Sequence, residues 1–142
     1  VHFLRFGAAV VIAAFFALPA FAADPSARAA VMEFDRAIRV HLTESQARQK
    51  AMRAAIVNAS DDVAMKAHAA EKTKDLAAAR AVGAMRIPAE PKEYATGLEN
   101  ARRQAVGALE ARGEGNERLA SMREKSYAGL IEGILARLKD QR

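Results

Sequence analysis

The sequence predicts an all-α protein, an antiparallel helical bundle or elongated helical hairpin of about four helices. Three observations predict it. Apolar residues recur at three- and four-residue spacing along most of the chain, and no segment alternates apolar and polar residues between turn signals as a half-buried strand would. Beyond residue 22, Ala is about as common as all larger apolar residues together, which suits narrow seams between closely approaching helices. The helical stretches are separated by short Asn-, Pro- and Gly-containing connections, which favour antiparallel neighbours.

Taken in order, the chain opens on VHFLRF and a 12-residue apolar run, GAAVVIAAFFAL, followed by PAFAAD with Ala20 and Ala22 at the small-residue positions. A charged start, a short apolar run and an A-x-A site read as a secretory signal peptide over residues 1–22. The run is shorter than the about 20 residues of a membrane-spanning helix; the alternative is a leader retained as an anchor. Val1 is read as a non-AUG start in a bacterial frame. Residues 23–142 then form a single helical domain, periplasmic or secreted, with no integral membrane span once the leader is cut.

Five of the six Phe lie in the leader, leaving Phe34, Tyr94 and Tyr127 as the aromatics of the domain. No Cys is present, which excludes disulfides, thiolate metal sites, covalent haem attachment and Cys nucleophiles. Loss of Arg5 with the leader takes the formal charge from +5 to +4. The basic residues are interspersed with acids, so a mixed solvated surface is expected and nucleic acid is not a partner.

The first helix is expected to begin near Ser26, with Val31, Phe34, Ile38 and Leu42 on one face. Thr43 and Gln46 then form a capping box, in which the Thr hydroxyl accepts from the Gln46 amide and the Gln side chain reaches back. A helix restart is therefore expected in the middle of a segment that would otherwise run to Val57, with Met52, Ala55 and Ile56 extending its apolar face. Ser60 is the expected N-cap of a helix from about Asp61 to Met85, with Asp61 and Asp62 at its positive end. Met65, Ala69, Leu76 and Val82 are its apolar contributors, and Pro88 ends it.

Pro91 suits the first turn of the next helix. Tyr94, Leu98, Ala101, Ala105 and Ala108 form its heptad-like, coiled-coil-type seam of mostly small residues. Gly113 is the expected left-handed terminator, and Asn116 the N-cap of a last helix from about Glu117 to Lys139. That helix carries the strongest stripe of the domain: Tyr127, Leu130, Ile131, Ile134 and Leu138.

Leu42, Thr43 and Gln46 spell L-T-x-x-Q, and in this the chain resembles the Spy/CpxP family of bacterial periplasmic proteins. The leader, small size, helical patterning, few aromatics and lack of Cys agree. The family carries the motif twice; here ERLASMREKSY stands in a comparable later place without it. The resemblance implies an ATP-independent chaperone or stress adaptor that binds unfolded or envelope protein clients. It implies Leu42, Thr43 and Gln46 as motif and partner-binding residues, a homodimer with a concave helical surface, and relatives that bind or sense metal.

Two ligand-carrier alternatives and one structural alternative stand beside it. His41 and His68 could meet across an antiparallel pair, with Glu33, Glu44, Glu71 or Asp75 as a third metal ligand. No H-x₃-H or H-E-x-x-H spacing is present, so incidental histidines are the simpler reading. Residues 94–115 resemble the third helix and loop of soluble b-type cytochromes of the four-helix-bundle kind, and Met32 is placed like their Met ligand. The last helix has no His, the other ligand of that family, so Met32, Met52, Met65, Met85 and Met122 are read as core filler. No cofactor is assigned. A structural coiled-coil component of an envelope complex is the third alternative. Neither a catalytic triad nor a phosphate loop is suggested, and enzymatic activity is not expected.

Overall fold

The computed structural model describes residues 19–88 and 92–140. The 12-residue apolar run expected to belong to a leader and Pro91 lie outside the described residues. The described residues form four α-helices: α1 (Pro19–Ala55), α2 (Asp61–Gly83), α3 (Ala95–Gly113) and α4 (Glu117–Asp140), with a short 3₁₀ turn, Lys92–Tyr94, leading into α3. No strand occurs among the described residues. None of their helices is long and apolar enough to cross a membrane.

The contacts define an up-down-up-down bundle. Along α1 and α4, Arg28 meets Leu135, Asp35 meets Tyr127 and Gln46 meets Glu124, so the numbering of one helix rises as the other falls. The same antiparallel order relates α2 to α3, through Lys72 with Glu114 and Met85 with Arg102. It also relates α3 to α4, where Gly97 lies against Ile134 and Gly107 against Arg123.

The core follows the predicted stripes closely on three helices. Val31, Phe34, Ile38 and Leu42 of α1 are buried, as is the entire seam from Tyr94 to Ala108. Of the α4 stripe, Tyr127, Ile131, Ile134 and Leu138 are buried and Leu130 packs at the edge. All three aromatics of the domain lie in this core. The Ala seam lets α3 approach α4 so closely that a Cβ on Gly97 would stand 3.1 Å from Ile134 Cδ1. A side chain there would force a neighbour to yield.

Both loop caps are made as the sequence suggests. The Val63 amide donates to Ser60 Oγ, and the Leu119 amide donates to Asn116 Oδ1. The left-handed residue is Gly115 (φ 81°), not Gly113, which is still helical. The Asn116 amide donates to the Ala111 carbonyl and the Gly115 amide to that of Arg112, closing α3 in a Schellman turn. Asn116 therefore ends one helix and caps the next.

Three expectations are corrected. α1 runs without a break through Thr43, which is exposed in the helix interior and caps nothing. Leu42, Ser45 and Met52 are buried on either side of it, so a continuous inward face holds the helix together, and burial outweighs a local capping preference worth about 1 kcal/mol. On α2 the inward face is Asp75, Ala78, Ala79 and Val82, whereas Met65 and Ala69 are exposed. The methionines divide: Met52 is buried and Met85 partly so, but Met32, Met65 and Met122 face outward.

Two substitutions test this architecture. Ile134→Ala should cost about 2–4 kcal/mol in denaturant unfolding, the loss expected for a buried aliphatic chain leaving a cavity. Thr43→Ala should be neutral or stabilising by up to about 0.5 kcal/mol, because Ala is the better interior helix former. A loss above about 1 kcal/mol would restore the cap.

Candidate functional site

Two surface features and one buried cluster are placed around the α1 motif. The first feature is a groove of about 490 Å³ along the α1–α4 seam, lined by Met32, Asp35, Arg36, Arg39, Val40, Thr43 and Leu135. Met32 and Val40 stand 42% and 49% exposed on its wall, large apolar groups that a packed bundle would normally turn inward. Arg36 and Arg39 are exposed beside them, each held by a carboxylate one turn away: Glu33 at 2.6 Å and Asp35 at 2.8 Å. Tyr127 secures the seam beneath. Its hydroxyl donates to Asp35 Oδ1 at 2.6 Å, and Arg39 lies over its ring at 5.6 Å from the centroid.

The motif residues take three separate places. Leu42 is core, Thr43 is groove wall, and Gln46, which does not line the groove, donates to Glu124 Oε1 at 2.7 Å and so ties α1 to α4.

Glu124 leads to the buried cluster. Ser45, Asp75 and Arg112 are the buried polar side chains among the described residues, 0%, 1% and 2% exposed. Arg112 is gripped by both ends of its guanidinium. Nε and Nη2 donate to the two oxygens of Glu117, each at 2.8 Å, and Nη1 donates to Glu124 Oε2 at 2.7 Å. Nη1 also reaches Ser45 Oγ at 3.4 Å. Ser45 in turn donates to Asp75 Oδ1 at 2.7 Å, the same oxygen that Arg48 Nη2 reaches at 2.7 Å. Arg48 Nε stands 3.3 Å from Glu71 Oε2, an ion pair not aligned as a hydrogen bond, and Asp75 Oδ2 is buried without a donor. One connected set of charges thus spans all four helices.

The electrostatics follow the geometry. Burial opposes the charge of Arg112, but its hydrogen bonds to Glu117 and Glu124, and their charges, outweigh that and raise its pKa. The Arg112 hydrogen bond holds the Glu117 carboxyl below its ordinary value against partial desolvation, aided by the charges of Arg112 and Arg53. Burial, then the hydrogen bond to Asp35 and its charge, push the Tyr127 phenol up, with Arg39 opposing.

The second surface feature is a notch of about 310 Å³ where the α3–α4 turn meets α1 and α2. It is lined by Gln49 and Met52, by residues 68, 69, 71 and 72 of α2, and by residues 112–115. His68 is on its rim and exposed; His41 is half-buried on α1 and does not line it. Among the described residues no group of three or more His, Cys, Asp or Glu side chains is placed to hold a metal ion. Glu33, Glu71 and Asp75, nominated as third ligands, are engaged by arginines instead. Met32, the candidate haem ligand, stands on the outer groove and not inside the bundle.

Sequence reasoning missed the Arg112 cluster. Its one available signal was that Arg112 falls four residues after Ala108 on the buried seam, a charge at a core position. Comparison of the chain with protein-family models, curated proteins and solved structures finds no match.

Tyr127→Phe should cost about 1.5–3 kcal/mol at neutral pH, the range for a hydrogen bond to a charged partner. A raised folded-state pKa contributes stability that is full below the unfolded value, about 10, and is lost as pH rises toward the folded value. Wild-type stability should therefore fall above pH about 10, and that part of the fall should be absent in Tyr127→Phe. Denaturant unfolding across that range measures both.

Proposed function

We propose that this is a non-enzymatic helical binding protein that acts outside the cytoplasm, chaperone-like or adaptor-like, and holds unfolded polypeptide segments along the α1–α4 groove. The observation that carries the reading is the pairing of exposed Met32 and Val40 with Arg36 and Arg39 in one groove. Flexible thioether and branched aliphatic groups accept varied apolar side chains, and Met adapts its shape at little cost. Arg36 and Arg39 are each paired with a carboxylate, Glu33 and Asp35, so the groove is close to neutral, and the arginine stems extend its apolar surface. The occupant is accordingly an unfolded segment with exposed apolar side chains. The L-T-x-x-Q resemblance points to the same class, with Thr43 on the groove and Gln46 tying α1 to α4. The leader-like residues 1–22 support export.

The test is suppression of aggregation of a chemically unfolded client, followed by light scattering. The protein should suppress scattering at near-stoichiometric ratios. The Met32→Glu, Val40→Glu double variant, confirmed folded by circular dichroism, should lose at least fivefold in potency. Equal potency of the two proteins, or no suppression by either, would overturn the reading.

A further inference from the structure

We infer that the Arg112 cluster is an acid-released latch that holds the α3–α4 turn down on α1 and α2. The inference is independent of the groove and of what binds there. The two ends of the bundle are held by different forces. Toward one end, Val31, Phe34, Val82, Leu98, Ile131, Ile134 and Leu138 supply an apolar core. At the other, the turn is fastened to α1 and α2 by charge beside a smaller apolar layer that includes Met52, Leu109, Ala111 and Ala120. Arg112 reaches Ser45, and Lys72 reaches Glu114 at 3.3 Å. Gly113 rests on α2, where an added Cβ would stand 3.4 Å from Asp75 Cβ and 3.6 Å from Leu76 Cδ2 and from the Lys72 carbonyl oxygen. Past this level the α1–α2 hairpin is mostly exposed from Arg53 to Lys66, so no further apolar packing backs the clamp.

The charges that face the clamp come from every helix. α1 supplies Arg48 and Arg53, α2 supplies Glu71, Lys72, Lys74 and Asp75 with His68 on the rim, α3 supplies Arg112, the turn supplies Glu114, and α4 supplies Glu117 and Glu124. Every carboxylate in this set engages a cation. When acid neutralises the carboxylates, Arg48, Arg53, Lys72, Lys74 and Arg112 remain charged around the turn with their counterions gone. A buried guanidinium without its counterions is strongly unfavourable, and water can reach it most directly if the turn lifts. The sign follows from Glu117. Its folded pKa lies below the ordinary value, so its contribution is present above about pH 4.3 and is lost as pH falls through the lowered value. The buried side chains of the apolar end carry no charge, so acid acts on it less. Release opens the notch lined by Met52 while the rest of the bundle stays closed.

Hydrogen exchange read by mass spectrometry at pH 7 and near pH 2.5, corrected for intrinsic rates, tests this on the whole chain. Amides of residues 45–52, 72–76 and 110–120 should lose at least tenfold in protection at the lower pH. Those of residues 98–105 and 131–138 should keep theirs. The Glu117→Gln, Glu124→Gln variant should show the open pattern already at pH 7. Loss of protection spread evenly over all four helices, no acid effect at the turn, or a variant as protected there as wild type would each overturn the latch. The wild-type comparison stands even if the variant folds poorly.

Discussion

A guanidinium buried where four helices meet sets the constraint on this structure. Arg112 has almost no contact with solvent, so its charge must be answered from within the protein. Glu117 and Glu124 of α4 answer it, Ser45 of α1 completes the contact, and Asp75 of α2 is bound through Ser45 and Arg48. None of these groups can shift along its helix without breaking a partner. A seam of Ala residues packs at many registers with little difference in energy, because small side chains interlock weakly. The charge cluster distinguishes one register from the others. This is the role in which buried polar groups are best attested, specifying an arrangement where apolar packing alone leaves alternatives.

The apolar stripes and the cluster divide the work. Val31, Phe34 and Ile38 against Ile131, Ile134 and Leu138 supply the burial that drives folding. The Schellman turn at Gly115, continuous with the Asn116 cap, brings α4 back along α3 with no spare residues. That tight return brings Glu117 within reach of Arg112, since the two are only five positions apart across it. Glu124, two turns further on, meets the same guanidinium from the body of α4 and passes the connection outward to Gln46. A surface residue of the α1 motif is thereby linked to the buried guanidinium of Arg112.

How much of this was legible in the sequence depended on whether the signal was local or periodic. The stripes of α1, α3 and α4 were legible because each repeats a 3.6-residue period over several turns. Ser60 and Asn116 were legible because a cap needs only its own neighbours. The Thr43 capping box was misleading for the complementary reason: the local pattern was present, but the buried face running through Leu42, Ser45 and Met52 overrode it. On α2, Met65 looked like core by residue type alone, while the true inward face includes Asp75, a residue that hydropathy places outside. The cluster joins residues 45, 48, 75, 112, 117 and 124, and no window of sequence contains them together. The groove was hidden similarly, since it arises from α1 residues left outside the core and from Leu135 on a different helix.

The measurement that bears most directly on this account is a double-mutant cycle on Arg112 and Glu124 by denaturant unfolding at neutral pH. Arg112→Ala should cost about 3–5 kcal/mol, the loss seen when one partner of a buried ion pair is removed. The cycle with Glu124→Ala should return a coupling energy of about 1–3 kcal/mol. An Arg112→Ala loss below about 0.5 kcal/mol, the level of an ordinary surface substitution, with no coupling to Glu124, would contradict it. The four helices would then be aligned by their apolar seams alone.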